Sequence, residues 1–127
     1  MSEKSLAAKL LLKPGYKVLI VNAPSNYSFA LGELPAGAIM QGESEGAADL
    51  IQVFVSFRKD LEERLPQMKA LLKPKGLLWV SYPKGTSGIK TDINRDSIRA
   101  YAQTLGLEAI FLISIDDTWS SMRLKQS

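Results

Sequence analysis

Apolar residues fall along this chain in compact runs, set apart by polar and Gly/Pro-rich stretches. Lys17-Val18-Leu19-Ile20-Val21-Asn22, Leu50-Ile51-Gln52-Val53-Phe54-Val55 and Leu77-Leu78-Trp79-Val80-Ser81 are almost continuously apolar. That is the pattern of strands covered on both faces. Between them the period changes to that of a helix. Over 56–72, Phe57, Leu61, Leu65, Met68 and Leu72 share one face, and Lys59, Glu62, Glu63 and Lys69 point outward. Pro66 lies inside this helix and is expected to kink or divide it. From Asn94, the stripe Ile98, Tyr101, Ala102 and Leu105 predicts another helix, ending at Gly106.

One phrase occurs twice. Leu11-Leu12-Lys13-Pro14-Gly15 precedes the first strand and Leu71-Leu72-Lys73-Pro74-Lys75-Gly76 precedes the third. Each copy reads as a helix end, a Pro/Gly stop and then a buried strand. The first copy follows a short predicted helix over 5–12, with Ser5 as N-cap and Leu6, Leu10 and Leu11 on one face. Residues 23–34 read as a loop and a short helix, capped by Ser25 or Asn26, with Tyr27 and Leu31 on one face. Ala38-Ile39-Met40 is a short candidate strand, and 41–49 a Gly-rich acidic loop or weak helical turn. Residues 108–115 and 119–125 form a terminal antiparallel hairpin about the turn Asp116-Asp117-Thr118.

Strands alternating with helices predict a three-layer Rossmann-like α/β domain spanning 1–127. Its sheet should hold about five or six mostly parallel strands, with a C-terminal antiparallel hairpin and helices on both faces. At 127 residues, 46% apolar and 23% charged, the chain has the composition of a single globular domain. No apolar run reaches the roughly 20 residues that span a bilayer, and the start lacks a secretory h-region, so a cytoplasmic location is expected and no membrane partner.

Two absences narrow the chemistry. With no cysteine, thiolate nucleophiles and thiolate metal sites are unavailable. With no histidine, the commonest general base and metal ligand is missing, and serine–histidine triads are excluded. No catalytic residue, metal site or cofactor is assigned. Sixteen basic residues against thirteen acidic ones, a net charge of +3, are scattered along the chain; a solvated basic surface explains them better than a nucleic-acid interface.

The element order resembles the class I methyltransferase fold. Residues 49–54 resemble that family's fourth strand, and Leu71-Leu72-Lys73-Pro74-Lys75-Gly76 its "L-K-P-G-G" helix end before the fifth. The resemblance implies an S-adenosylmethionine site at the loop after the first strand, where glycines let the backbone approach the cofactor. Here that loop reads Asn22-Ala23-Pro24-Ser25-Asn26-Tyr27, with no glycine and no acid. Glu43 or Glu45 is a weak counterpart for the ribose-binding acid. The space before Leu50 holds about one helix and one strand where the family has two of each. The whole chain also resembles a small uncharacterised bacterial family of unknown function. The shared segments are 5–10 (Ser-Leu-Ala-Ala-Lys-Leu), Asn22-Ala23-Pro24, 79–84 (Trp-Val-Ser-Tyr-Pro-Lys), 87–92 (Ser-Gly-Ile-Lys-Thr-Asp) and 116–120 (Asp-Asp-Thr-Trp-Ser).

In open α/β sheets, ligands bind beyond the carboxyl ends of the strands. The binding candidates there are Asn22, Ser25, Asn26, Ser56, Ser81, Tyr82, Lys84, Lys90 and Asp92, a set suited to an anion or a small polar ligand. Residues 84–90 read either as a phosphate-type loop or, preferably, as an ordinary connection, because P-loop spacing is absent. Asp92 has a second reading as a cap of the helix that follows. Asp116-Asp117 suits a turn better than a paired-carboxylate site. Trp119 suits core or edge packing better than ligand stacking. The expected function is therefore a non-catalytic binding or protein-interaction module on a degenerate methyltransferase-like scaffold, with a homodimer or protein partner. The alternatives are a small enzyme or binder of a nucleotide-type ligand, and a nucleic-acid-associated protein.

Overall fold

The computed structural model describes residues 6–24, 27 and 34–126. Six strands form one sheet: β1 (Lys17–Val21), β2 (Ile39–Met40), β3 (Ala48–Phe54), β4 (Leu72–Pro83), β5 (Leu107–Ser114) and β6 (Trp119–Gln126). Their spatial order is β2-β1-β3-β4-β6-β5. The pairs β2–β1, β1–β3 and β3–β4 are parallel, while β6 runs antiparallel to both β4 and β5. The chain leaves β1 for β2 on one side and returns to β3 on the other. The strand order thus reverses between β1 and β3, the position where open α/β sheets form their crevice.

Side-chain alternation divides the core into two layers. On one face Leu19, Val21, Ile51, Val53, Leu78 and Val80 pack beneath helices α2 (Arg58–Leu71) and α3 (Arg95–Thr104), through Leu61, Leu65, Met68, Ile98 and Ala102. On the other, Val18, Leu50, Phe54, Leu77 and Trp79 lie under the N-terminal segment and Tyr27. That segment contains the short helix α1 (Leu6–Lys9). The indole of Trp79, fully buried, donates from Nε1 to the carbonyl of Leu10 at 3.1 Å and ties this cover to the sheet. Among the described residues no helix is long and apolar enough to cross a membrane.

Four local expectations change. α1 ends at Lys9, and it is Leu10 and Leu12 that point inward; Leu11 is exposed with φ of 64°. Ser5, its expected cap, and Ser25 and Asn26 lie outside the described residues. Phe57 is the exposed residue preceding α2 rather than part of its core face. Pro66 leaves α2 continuous. A proline at this position deprives the carbonyl four residues earlier of its donor, and the hydroxyl of Tyr101 on α3 donates to that carbonyl, of Glu62, at 3.3 Å.

The two copies of the repeated phrase also do different work. The first is a turn, with Gly15 in the left-handed region at φ of 81°. The second is already strand. β4 starts at Leu72, and the stretch from Leu72 to Leu77 opposes only Ala48 to Leu50, a bulge that accommodates Pro74. Gly76 is required there by close approach, since a Cβ would stand 2.7 Å from the Leu72 Cδ1 and 3.0 Å from the Asp49 carbonyl.

Candidate functional site

The carboxyl end of β1 leads into a tight turn built without glycine. Asn22 adopts φ of 60°, a conformation that asparagine tolerates better than other side-chain-bearing residues. Ala23 and Pro24 follow, and the amide of Tyr27 donates to the carbonyl of Pro24 at 3.0 Å. This turn delivers Tyr27 over the end of β3, where it is only 4% exposed.

There Tyr27 starts a row of three aromatic rings. It meets Phe54 edge-on at 4.8 Å between centroids, and Phe54 meets Trp119 edge-on at 5.1 Å. Phe54 closes β3, and Trp119 opens β6 opposite Pro83, the last residue of β4. The row therefore lies across the carboxyl ends of β3 and β4, beside the point where strand order reverses.

Beneath the rings runs a buried polar chain. The hydroxyl of Tyr27 donates to Oε1 of Gln52 at 2.5 Å, Nε2 of Gln52 to Oγ of Ser81 at 2.8 Å, and Ser81 Oγ to Ser121 Oγ at 2.9 Å. It crosses from β3 through β4 to β6, and Gln52, Ser81 and Ser121 are fully buried. Burial raises the phenol of Tyr27 well above the ordinary tyrosine value, against the lowering effect of its bond to Gln52. Tyr27 is thus a neutral, fixed donor.

The candidates named from sequence do not share one crevice. Asn22 is exposed at the turn after β1, and Ser81 belongs to the interior chain. Tyr82, next along β4, joins the opposite core layer under α3. Lys84 holds the hairpin: its amide donates to the Thr118 carbonyl at 2.8 Å and its Nζ to Ser114 Oγ at 2.6 Å. Lys90 is exposed. Ser56 offers its carbonyl to the hydroxyl of Thr91 at 2.5 Å. Asp92 is a cap, but of α2 rather than of the helix that follows, accepting from the amide of Arg58 at 2.6 Å. α3 is capped by Asn94, whose side chain accepts from the Ser97 amide at 2.9 Å. The loop 84–94 is therefore anchored at both ends rather than free. Asp116 also serves the backbone, accepting from the amides of Thr118 and Trp119 at 2.8 Å each, as its turn reading requires.

Sequence reasoning did not single out Tyr27, Gln52, Phe54 and Ser121 as partners in this region. One signal was present: Gln52 is the sole polar residue in the run 50–55, and a buried amide demands hydrogen-bond partners from elsewhere in the chain. Among the described residues no group of three carboxylates is placed to hold a metal ion.

The family model described as "Protein of unknown function (DUF3052)" matches residues 25–127. No curated protein matches the chain in sequence. Among solved structures, the fold is similar to the ribosomal protein L11 methylase of Lactobacillus delbrueckii subsp. bulgaricus. The TM-score is 0.66 at 14% identity, over 96% of this chain and 75% of that one. A SAM-dependent methyltransferase from Aquifex aeolicus gives 0.66 at 13% identity, over 96% and 88%. One from Thiobacillus denitrificans, in complex with S-adenosyl-L-homocysteine, gives 0.61 at 10%, over 100% and 92%. At these identities the likeness is one of fold: a methyltransferase-like sheet with its terminal antiparallel hairpin.

Proposed function

We propose that this chain, which belongs to the DUF3052 family of proteins of unknown function, uses its methyltransferase-like scaffold as a non-catalytic binding or interaction module. The observation carrying this reading is the aromatic row Tyr27–Phe54–Trp119, locked from below by the Tyr27–Gln52 hydrogen bond. S-adenosylmethionine requires backbone approach through a glycine-bearing turn and open space beside the strand ends. Here the turn carries Asn22, Ala23 and Pro24, and Tyr27 and Phe54, at 4% and 3% exposure, are packed beside it. These residues do not fit the cofactor. The lack of histidine and cysteine supports the same conclusion, since no side chain is left with an ordinary pKa near neutrality for general base work.

The interaction surface that best fits this reading is the β5 edge. β5 pairs only with β6 among the described residues, and it exposes Ile110, Phe111 and Leu112 together. A long apolar edge is a template for another strand. A second copy of this chain is the partner its sequence suits. Antiparallel packing about a two-fold at Phe111 brings the apolar stretch 110–112 of one copy onto that of the other, and β5 carries a single charge, Glu108, away from the axis.

Two measurements test the reading. In thermal denaturation, saturating S-adenosylmethionine or S-adenosylhomocysteine should leave the midpoint unchanged; a saturable rise would refute the closed crevice. In sedimentation, the chain should show a concentration-dependent dimer that Phe111→Lys abolishes, and a strict monomer would refute self-association.

A further inference from the structure

A separate cleft of about 380 Å³ opens on the opposite face, where the end of β4 meets the start of α3. Its polar wall is formed by Tyr82, Lys84, Arg95 and Asp96. Pro83, Ile93 and Leu112 supply an apolar wall. The volume falls within the range of small-molecule sites, which combine an apolar lining with a few convergent polar groups.

Three features of the cleft point to an anion. The first turn of α3, a ten-residue helix, opens onto it. There the amides of Arg95 and Asp96 make no hydrogen bond among the described residues, while the Ser97 amide is taken by the Asn94 side chain. Free amides at a helix start favour negative charge. Lys84 and Arg95 set two cations against the single carboxylate of Asp96, which is 3.9 Å from Arg95 and 78% exposed. The third feature is independent of the helix. Tyr82 is only 6% exposed and lines the cleft, yet its hydroxyl has no hydrogen-bond partner among the described residues. It is not sealed in the core either, since no fully enclosed side-chain polar atom lacks a partner. Arg95 and Asp96 line the same cleft, and burial raises the pKa of the Tyr82 hydroxyl, keeping it a proton donor. The hydroxyl is thus a donor with no protein acceptor among the described residues, which a ligand in the cleft can use.

We infer that this cleft binds the phosphate group of a small phosphorylated organic molecule. The phosphate accepts from Arg95, Lys84, the first amides of α3 and the Tyr82 hydroxyl. The organic part lies against Pro83, Ile93 and Leu112. A planar guanidinium offers the paired donors that phosphate oxygens take up in two parallel bonds. Lys84 is already held in place by Ser114 and contributes as a point charge. Asp96 disfavours a second, more highly charged phosphate. A single monoester therefore suits the cleft better than a polyphosphate. The site lies across the sheet from the aromatic row and does not depend on whether that crevice is closed.

Titration of the full ¹⁵N-labelled chain with phenyl phosphate and with inorganic phosphate, at constant ionic strength against chloride, tests this site by amide chemical shift. Saturable shifts are expected at Lys84, Gly85, Arg95 and Asp96, with phenyl phosphate binding several-fold tighter than inorganic phosphate. Arg95→Gln, at an exposed position, should weaken phenyl phosphate at least tenfold, and Tyr82→Phe several-fold with the fold retained. Lys90→Gln, outside the cleft, should change nothing. Shifts that never saturate, that spread over surface lysines, or that persist in Arg95→Gln would overturn the proposal. A parallel titration with S-adenosylhomocysteine that moves Asn22 and Phe54 would refute the closed crevice alone, leaving the phosphate result to be read by itself.

Discussion

The hydroxyl of Tyr27 donates to the side-chain carbonyl of Gln52 across 2.5 Å, at a point where both residues are buried. This bond joins the segment after β1 to the middle of the sheet and holds the aromatic row in place. Tyr27→Phe removes the donor and leaves the Gln52 carbonyl unsatisfied, at an expected cost of about 1–3 kcal/mol. Urea denaturation monitored by tryptophan fluorescence measures it. A change below about 0.5 kcal/mol would mean that the bond does not hold the row.

The serines further along the chain should be coupled. Ser81→Ala leaves the Nε2 of Gln52 and the hydroxyl of Ser121 without their partners, whereas Ser121→Ala leaves Ser81 its bond from Gln52. The double variant should therefore cost less than the two single ones together, by about 0.5–3 kcal/mol. Additive losses in a double-mutant cycle would show that the bonds act separately.

Alkaline pH should destabilise the fold. Tyr27, and to a lesser degree Tyr82, keep their protons to higher pH when folded because burial disfavours the phenolate. An unfolded tyrosine ionises near pH 10. Above that value the native state binds more protons than the unfolded one. Stability from these groups is therefore complete below about pH 9 and falls as pH rises past 10. Tyr27 contributes at most about 1.4 kcal/mol per pH unit, and Tyr82 a smaller, solvent-screened part. Tyr27→Phe should flatten this slope in denaturation curves taken between pH 9 and 11.

The glycines of the repeated phrase should differ in how well they tolerate asparagine. Gly15 needs a left-handed backbone and has open space around it, so Gly15→Asn should cost less than about 1 kcal/mol. Gly76 lacks room for a Cβ beside Leu72 and the Asp49 carbonyl, so Gly76→Asn should cost about 1–3 kcal/mol or more. Comparable midpoints for the two variants would contradict this division of roles.

Tyr101→Phe should act locally. Without the hydroxyl, the Glu62 carbonyl loses the donor that compensates for Pro66. Because the bond is solvent-exposed, the loss of global stability should stay below about 1 kcal/mol. Faster amide exchange is expected in the turn of α2 around Pro66; unchanged exchange there would refute the compensation.

Much of the architecture was legible because burial on both faces writes itself into compact apolar runs. Lys17–Val21 and the core of β3 and β4 fall where those runs fall, α3 is predicted from its stripe, and Asp116 turns the hairpin as its residue type suggests. Boundaries were less legible where packing overrides local preference. Lys73-Pro74-Lys75-Gly76 has turn composition, yet the neighbouring β3 extends it as bulged strand. Pro66 should interrupt a helix, yet a tyrosine from another helix supplies the missing donor.

The candidate site divides along the same line. By itself, the sequence established a parallel α/β scaffold, removed histidine and cysteine chemistry, and showed a first loop without glycine, because each of these depends on residue type and local spacing. Only the tertiary structure decided which polar residues face one another. Ser81 and Tyr82 are neighbours in the chain, yet strand alternation sends one into a buried hydrogen-bond chain and the other to the wall of a cleft on the opposite face. Asp92 reads in sequence as a cap of the helix that follows, yet the path of the loop carries it to α2 and leaves α3 to Asn94. The rings beside Asn22 come from residues 27, 54 and 119, which only the sheet's reversal of strand order brings together.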